Sequence, residues 1–147
     1  MIMLRELGVS DRSEWDCLWA QYQAFYKAAI APEISEVTFA RLLDPDMPMH
    51  GLIAEIDGRI AGMTHYLFHH STWTIGPYCY LQDLITKPEF RGKGVATALI
   101  KAVYDKAAAH GASRVYWLTQ ETNETAIRLY QSLADRPGFI QFRKMMP

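Results

Sequence analysis

The chain has 147 residues, 50% of them hydrophobic, with 15 Lys and Arg against 16 Asp and Glu. This length predicts one domain, residues 1–147, that is large enough to bury a core without disulfide or metal staples. The formal net charge of −1 excludes the basic surface of a nucleic-acid-binding protein and favours a small molecule or a peptide as the partner.

The cysteines and the apolar segments indicate in which cellular compartment the protein resides. Cys17 and Cys79 are far apart and form no C-x-x-C pair, so neither a disulfide framework nor a zinc site is predicted and a reducing compartment fits. The apolar run before Arg5 is too short for a secretory signal. No Asp, Glu, Lys or Arg lies between Arg59 and Asp83, but three histidines, a glycine and a proline interrupt this stretch, which indicates buried strands. We therefore expect a cytoplasmic protein without a membrane span.

The first part of the chain predicts a strand and a helix. The strand begins at Leu4. Asp11 and Glu14 stand at the spacing of a capping box, which predicts the start of the helix. Its apolar face is expected to run through residues 15–29, and Pro32 is expected to close it.

The middle of the chain predicts a second helix and a β-hairpin. The helix is expected from Ser35 to the proline-containing breaker at 44–46. Two runs of strand character, Leu52–Ile56 and Arg59–Phe68, flank the dipeptide at 57–58, which is Asp-Gly and therefore a strong hairpin signal. Two antiparallel strands are expected here.

The second half predicts alternating strands and helices. Strands are expected at Tyr78–Thr86 and Val115–Thr119, and a helix that begins near Val95 connects them, so the two strands should run parallel. Asn123 is the expected N-cap of a last helix, and a final strand is expected from Phe139. This order predicts a mixed α/β (α+β) fold.

The segment 81–96 is the most informative part of the chain. It has the pattern of a buried strand, a tight loop and a glycine-rich entry into a helix. Gly92 and Gly94 let backbone amides approach a ligand without interference from a Cβ atom. The free N–H groups at the start of the helix favour an anion such as a diphosphate, and Arg91 adds a positive charge beside it.

Other interpretations of this glycine loop fit less well. A dinucleotide-binding G-x-G-x-x-G motif would need a third glycine where Thr97 stands, and a P-loop would need a Gly-Lys-Ser/Thr end that is absent. A purely structural turn also remains an alternative.

The run Arg91-Gly92-Lys93-Gly94-Val95-Ala96 resembles the R-x-x-G-x-A signature of the GNAT superfamily of acetyl-CoA-dependent N-acetyltransferases. The second half is similar to that family as well. It carries the N-x-x-A pair Asn123 and Ala126, the Leu129-Tyr130 dipeptide of the following helix, and the Gly138-Phe139 strand motif. The resemblance covers nearly the whole chain and implies the GNAT fold, a twisted mixed central sheet flanked by helices.

Two segments resemble one branch of this superfamily in particular. Cys79–Leu84 and Trp117–Glu121 look most like the branch that contains polyamine, thialysine and fungal histone acetyltransferases. Members of this branch act on primary amines, so the resemblance implies direct transfer of acetyl from acetyl-CoA to a small amine, an amino acid or a lysine side chain in a ternary complex. It also implies a homodimer that pairs through the last strand, and no metal.

The resemblance implies residue roles. Backbone amides of the glycine loop would hold the diphosphate, the strand before it would pair with the pantetheine arm, and Tyr130 would protonate the departing thiolate. The implied coenzyme-binding residues are Leu84, Ile85, Thr86, Arg91, Gly92, Lys93, Gly94, Val95, Ala96, Thr97, Asn123 and Tyr130.

The sequence offers more than one candidate for the general base. Polyamine-type relatives carry a glutamate where this chain has Gln82, which cannot accept a proton. Asp83 is the first candidate, because strand alternation would put Gln82 and Asp83 on opposite faces and only one can meet the substrate. His65 and His69 acting through ordered water, or binding of an already neutral amine, are the alternatives. Gln82, Asp83 and Tyr130 are thus the candidate catalytic residues.

The histidines, Cys79 and the glycine loop each allow a further alternative. His65, His69 and His70 suggest a metal site, but no carboxylate or cysteine stands at ligand spacing, so pocket-lining histidines are favoured. Cys79 could support covalent catalysis. A protein that binds acyl-CoA as a sensor or interaction module, without turnover, is the alternative function.

Overall fold

The computed structural model describes residues 1–147 and consists of one five-stranded sheet with helices on both faces. The strands are β1 (Ile2–Glu6), β2 (Met49–Ile56), β3 (Arg59–His69), β4 (Tyr78–Thr86) and β5 (Arg114–Tyr116). The helices are α1 (Arg12–Phe25), α2 (Pro32–Leu43), α3 (Val95–Ala109) and α4 (Glu124–Gln131), with 3₁₀ turns at Val9–Asp11 and Pro88–Phe90. The strands lie in chain order; β1 to β4 are antiparallel and β5 is parallel to β4. The mixed α/β fold is confirmed.

Each face of the sheet buries an apolar core, because side chains alternate along the strands. On one face α3 packs on the sheet, and the buried residues from α3 are Val95, Leu99, Ile100, Val103 and Ala107. On the other face α1 and α2 pack through Trp15, Leu18, Trp19, Phe39 and Leu42. The glycine loop lies at the start of the helix on the first face, and the aromatic helix α1 lies on the second.

The predicted β-hairpin is confirmed. Ile56 of β2 pairs with Arg59 of β3, so two residues form the turn. Asp57 and Gly58 have φ angles of 51° and 75°. Both central residues with positive φ define a type I′ turn, whose twist matches that of the strands, and this explains the Asp-Gly signal.

The boundary between the first two helices differs from the prediction. Helix α1 ends at Phe25 and not near residue 29, and the chain turns at Lys27, whose φ is 53°. Pro32 does not close α1 but is the first residue of α2, so α2 begins one turn before Ser35. Proline is favoured at this position because its missing N–H would have no intrahelical partner.

The predicted capping box is wrong. The Asp11 side chain makes no cap bond to α1; its carboxylate accepts hydrogen bonds from Gly8 N–H at 2.7 Å and from the Arg5 guanidinium at 2.8 and 2.9 Å. Asp11 is buried, and Arg5 also binds Glu55 at 2.7 Å. The carboxylate therefore anchors α1 to β1 instead of capping the helix.

This ion pair predicts an acid-dependent loss of stability. The Arg5 hydrogen bond lowers the pKa of Asp11, opposed by burial and assisted by Gly8. A carboxyl whose folded pKa is below its unfolded value of about 3.9 contributes stability above that value and loses it as pH falls through the folded pKa. We expect Arg5→Met to reduce the free energy of unfolding at pH 7 by about 1–3 kcal/mol. The deficit should shrink below about pH 4 in urea titrations; an equal deficit at pH 7 and pH 3 would contradict this account.

The C-terminal part differs most from the prediction. Strand β5 covers Arg114–Tyr116 and not Val115–Thr119. The final strand from Phe139 is not formed, and the large apolar side chains of Phe139 and Phe142 are exposed. A strand needs an edge to pair with, and β5 offers only three residues. No helix of the structure is long and apolar enough to cross a membrane.

Gly62 in β3 allows β4 and α3 to approach closely. A Cβ atom on Gly62 would lie 2.6 Å from the Ile85 carbonyl oxygen and 2.9 Å from Val95 Cγ1. We expect Gly62→Ala to lower the free energy of unfolding by about 1–3 kcal/mol through overpacking, measured by urea denaturation. Gly8→Ala is the matched control, because its Cβ would meet only Asp11 at 3.6 Å; similar losses in both variants would contradict the steric argument.

Candidate functional site

Strands β4 and β5 separate and leave an open backbone edge. Strand β4 pairs with β3 as far as Thr86, but it pairs with β5 only from Tyr78 to Tyr80. The edge of residues 81–86 that faces away from β3 therefore has no strand beside it. An extended ligand can hydrogen-bond to such an edge as an added strand would. Leu84, Ile85 and Thr86, the predicted pantetheine-binding residues, lie on this edge.

The glycine loop adopts a backbone that only glycine takes without strain. Gly92 and Gly94 have φ angles of 75° and 83°, and Gly94 is the left-handed N-cap of α3. A Cβ on Gly92 would meet no atom within 4 Å, and one on Gly94 would meet only Ile2 Cδ1 at 4.0 Å. Conformation, not crowding, requires glycine here.

The first turn of α3 presents free backbone donors. The first helical bond runs from Ala98 N–H to the Gly94 carbonyl oxygen at 3.0 Å, so the N–H groups of Val95, Ala96 and Thr97 have no intrahelical partner. No acidic side chain lies in this turn. Exposed Arg91 and Lys93 precede it in the chain. These residues suit a diphosphate, because donors, helix dipole and positive charge all favour an anion.

A β-bulge at Gln82 changes which side chains share a face. His65 pairs with Asp83 and Tyr66 pairs with Leu81, so Gln82 is the extra residue of β4. The prediction that Gln82 and Asp83 lie on opposite faces, which assumed strict strand alternation, is therefore wrong. After the bulge Leu84 packs against the α3 core, which leaves Asp83 on the α1 face with Ile85. Gln82 itself is exposed.

Asp83 is held by neighbouring residues of β3. Its Oδ2 atom lies 2.9 Å from His65 Nδ1, and its carbonyl oxygen accepts a hydrogen bond from Thr64 Oγ1 at 2.7 Å. The Asp83 side chain retains 15% exposure. His69 lies apart from this group, with Nε2 2.7 Å from the Tyr116 hydroxyl. The structure thus brings His65, but not His69, to Asp83.

The charge of Asp83 acts on three tyrosines. Burial, and next the charge of Asp83, raises the pKa of Tyr22 and of Tyr26, which come from α1. Burial also raises the pKa of Tyr80 on β4, with a smaller contribution from Asp83. The Tyr22 hydroxyl donates to the Gln82 carbonyl oxygen at 3.4 Å. Sequence reasoning missed Tyr22 and Tyr80; the signal available for Tyr22 was its place on the apolar face of the first helix, where it is one of the residues that carry a hydroxyl.

Tyr130 projects from α4 into the same region. Its ring packs edge-on against Trp117 with the centroids 5.4 Å apart. Burial, and then the proximity of Tyr26, raises the pKa of Tyr130. The phenol therefore keeps its proton at neutral pH, as a proton donor must. Asn123 is the N-cap of α4 as predicted, but its side chain does not cap the helix and instead donates to Thr119 Oγ1 at 3.5 Å.

Neither metal chemistry nor a covalent cysteine has a built site here. No group of three or more His, Cys, Asp or Glu side chains converges to hold a metal ion. Cys79 is buried, and burial raises the pKa of its thiol to about 11. A thiol of that pKa is protonated at neutral pH and is a poor nucleophile.

Comparisons with known proteins agree with this geometry. A model described as the acetyltransferase (GNAT) family matches residues 13–134. The chain is 33% identical over 145 residues to the D-amino-acid N-acetyltransferase HPA3 of Saccharomyces cerevisiae, covering 97% of this chain and 90% of that protein. It is 31% identical over 156 residues to the thialysine N-epsilon-acetyltransferase of Mus musculus, covering 97% and 83% respectively.

Solved structures share the fold at lower identity. The ribosomal-protein-alanine N-acetyltransferase from Brucella melitensis biovar Abortus 2308 matches with a TM-score of 0.83 at 23% identity, covering 99% of this chain and 100% of that one. AAC(6')-Iy, in complex with a bisubstrate analog of CoA, matches with a TM-score of 0.83 at 22% identity, covering 99% of both chains.

Proposed function

Because the chain belongs to the acetyltransferase (GNAT) family and is an acetyl-CoA-dependent N-acetyltransferase, we propose that its acceptor is the primary amine of a small amino acid. The resemblance to the branch with thialysine and D-amino-acid acetyltransferases is confirmed. One observation carries the choice of acceptor: the Asp83 carboxylate, held by His65 and still 15% exposed, can bind one ammonium group. The alternative of a non-catalytic sensor has no support from these relatives.

The chain's own groups suit the binding of acetyl-CoA, which supplies a reactive acetyl thioester when bound. We assign the diphosphate to the N–H groups of residues 92–97, with Arg91 and Lys93 adding positive charge. The open edge at Leu84–Thr86 pairs with the pantetheine arm, and Asn123 binds it from the α4 side. A backbone N–H of the same edge donates to the carbonyl oxygen as negative charge develops there.

Two side chains handle the protons of the reaction. Asp83 takes one proton from the acceptor ammonium, which frees the nitrogen lone pair to bond to the acetyl carbon. Tyr130 gives its phenolic proton to the sulfur as the carbon–sulfur bond breaks, and the second proton that the nitrogen loses as the amide forms restores the phenol. Gln82, which cannot accept a proton, is left with a binding role toward the acceptor.

An assay of free thiol release with a panel of acceptors tests the proposal. D- and L-amino acids, thialysine, diamines and lysine peptides are compared at fixed acetyl-CoA. We expect amino acids to give the highest kcat/KM, and diamines, whose second cation has no second carboxylate, to give lower values. Tight coenzyme binding with no thiol release above background for any acceptor would contradict the enzyme proposal, and a preference for diamines would contradict the acceptor.

We also propose that the protein is a cytoplasmic homodimer of single-domain chains. The unpaired edge of β5 and the exposed apolar tail, residues 139–146, support pairing with a second copy. The exposed free thiol of Cys17 is compatible with a reducing compartment. Light scattering after size exclusion should give twice the chain mass, and Phe139→Ser with Phe142→Ser should give the monomer; a monomeric wild-type protein would contradict the dimer.

A further inference from the structure

Three buried side chains form a hydrogen-bonded chain beneath the proposed acceptor site. Trp15 is fully buried and His65 is 3% exposed. Trp15 Nε1–H donates to His65 Nε2 at 3.0 Å, and His65 Nδ1 lies 2.9 Å from Asp83 Oδ2. The three residues come from α1, β3 and β4 respectively, so the chain exists only in the folded protein.

The indole nitrogen determines where the imidazole proton resides. An indole N–H is a donor only, so His65 Nε2 must accept and carries no proton. The ring proton is therefore on Nδ1, and it donates to the Asp83 carboxylate. Both ring nitrogens of His65 are occupied in this arrangement. His65 consequently has no free lone pair for the substrate proton, which removes it from the candidate bases.

Aromatic packing holds the two rings in place. Trp15 stacks on Trp19 with the centroids 5.5 Å apart and meets Phe39 edge-on at 5.1 Å. The Trp19 ring lies edge-on to His65 at 5.4 Å. The Trp19 indole N–H donates elsewhere, to Ser35 Oγ at 3.1 Å. Only Trp15 therefore sets the imidazole tautomer, although both indoles pack around His65.

We infer that His65 is a positioning residue for acetyl transfer: its Nδ1–H orients the Asp83 carboxylate toward the acceptor amine, and Trp15 fixes the tautomer that makes this possible. The inference rests on the proposed role of Asp83 as base. The proton from the ammonium goes to Asp83, and His65 donates the same Nδ1–H hydrogen bond before and after that transfer. No net charge develops on the imidazole.

The wild-type protein alone tests the tautomer. In ¹⁵N-labelled protein, long-range ¹H–¹⁵N correlation spectra report which imidazole nitrogen is protonated. We expect the His65 Nδ1 to carry the proton and Nε2 to resonate as an unprotonated nitrogen at neutral pH. In Trp15→Phe the Nε2 should gain partial proton occupancy, whereas Trp19→Phe should leave the His65 signals unchanged. A protonated Nε2 in the wild-type protein would overturn the inference.

Kinetics of paired variants test the positioning role. His65→Leu removes the donor to Asp83, whereas His65→Asn keeps an amide N–H at about the distance of Nδ1 from the backbone. We expect kcat to fall about 10–100-fold in His65→Leu and to recover to within about threefold of the wild-type value in His65→Asn. The affinity for CoA, measured by calorimetry, should be unchanged in both variants. This is the control for folding, since a variant that had lost structure would bind CoA more weakly.

Asp83→Asn separates failure of this inference from failure of the proposed function. If Asp83→Asn lowers kcat strongly but His65→Leu does not, the positioning role is wrong and Asp83 stands as base. If Asp83→Asn itself retains kcat, the assignment of Asp83 as base is wrong. Should His65→Leu not fold, the wild-type tautomer still tests the Nδ1–H donor, and kcat tests the positioning role: Trp15→Phe should have a lower kcat than Trp19→Phe, and equal values would overturn the inference.

Discussion

Replacing Tyr130 with Phe is expected to lower kcat about 100-fold while changing the affinity for CoA little. The phenol is half-buried against Trp117, and burial raises its pKa, so it holds a proton for the departing sulfur at neutral pH. A thiol with a reference pKa of about 8.5 needs only modest assistance to leave, which places the effect at the lower end for general acid catalysis. Single-turnover thiol release measures the chemical step directly.

Tyr104→Phe is the matched control for this prediction. Tyr104 also lies near Trp117, with the ring centroids 6.4 Å apart, and its hydroxyl donates to the Leu133 carbonyl oxygen at 2.9 Å. Loss of that hydrogen bond should lower stability without changing the single-turnover rate. Equal rates in Tyr130→Phe and the wild-type protein would show that the sulfur leaves without this proton donor.

The parts of the fold that the sequence predicts are those set by local chemistry. The Asp57-Gly58 turn requires two residues that tolerate positive φ, and the sequence supplies them between two strands. Strand Tyr78–Thr86 matches the prediction at both ends, because Pro77 and Lys87-Pro88 interrupt the pattern. The start of α3 is equally local, since Gly94 is its left-handed N-cap.

The parts that the sequence does not predict depend on tertiary contacts. Pro32 is compatible with ending one helix or starting another, and only the position of α2 decides between them. The Asp11 carboxylate has two possible sets of donors, and Arg5 from β1 outcompetes the helix amides. The tail after Pro137 has strand-like residues but no paired edge within this chain.

In the candidate site, too, some features are set by local sequence and others by tertiary contacts. The glycine loop, the proposed diphosphate site, is continuous in sequence, so its residues could be named in advance. The surroundings of Asp83 are assembled from α1, β3 and β4, and the bulge at Gln82 that turns Asp83 toward α1 has no local sequence signal that strand alternation could supply. The positioning roles of His65 and Trp15, which act through Asp83, therefore emerge only from the three-dimensional structure.

Replacing Gly94 with Val is expected to weaken CoA binding at least about 100-fold. The position has a φ of 83°, where a β-branched residue is strained by about 1–3 kcal/mol. The chain relieves this strain by changing the loop backbone, which turns the N–H groups of Val95 and Ala96 away from the diphosphate. Each hydrogen bond to a charged group contributes about 1.5–3 kcal/mol, so loss of two accounts for the expected change. Isothermal titration calorimetry with CoA measures it.

Gly111→Val distinguishes loss of the anion site from general strain in α3. Gly111 follows the C-terminal end of the same helix, has a φ of 77°, and a Cβ there would meet nothing within 4 Å. The backbone strain is therefore similar, but the carbonyl end of a helix repels an anion and does not bind one. Gly111→Val should lose stability and keep its affinity for CoA. If both variants lose affinity equally, the strain acts through the helix as a whole; if Gly94→Val binds CoA as the wild type does, the N-terminus of α3 is not the diphosphate site.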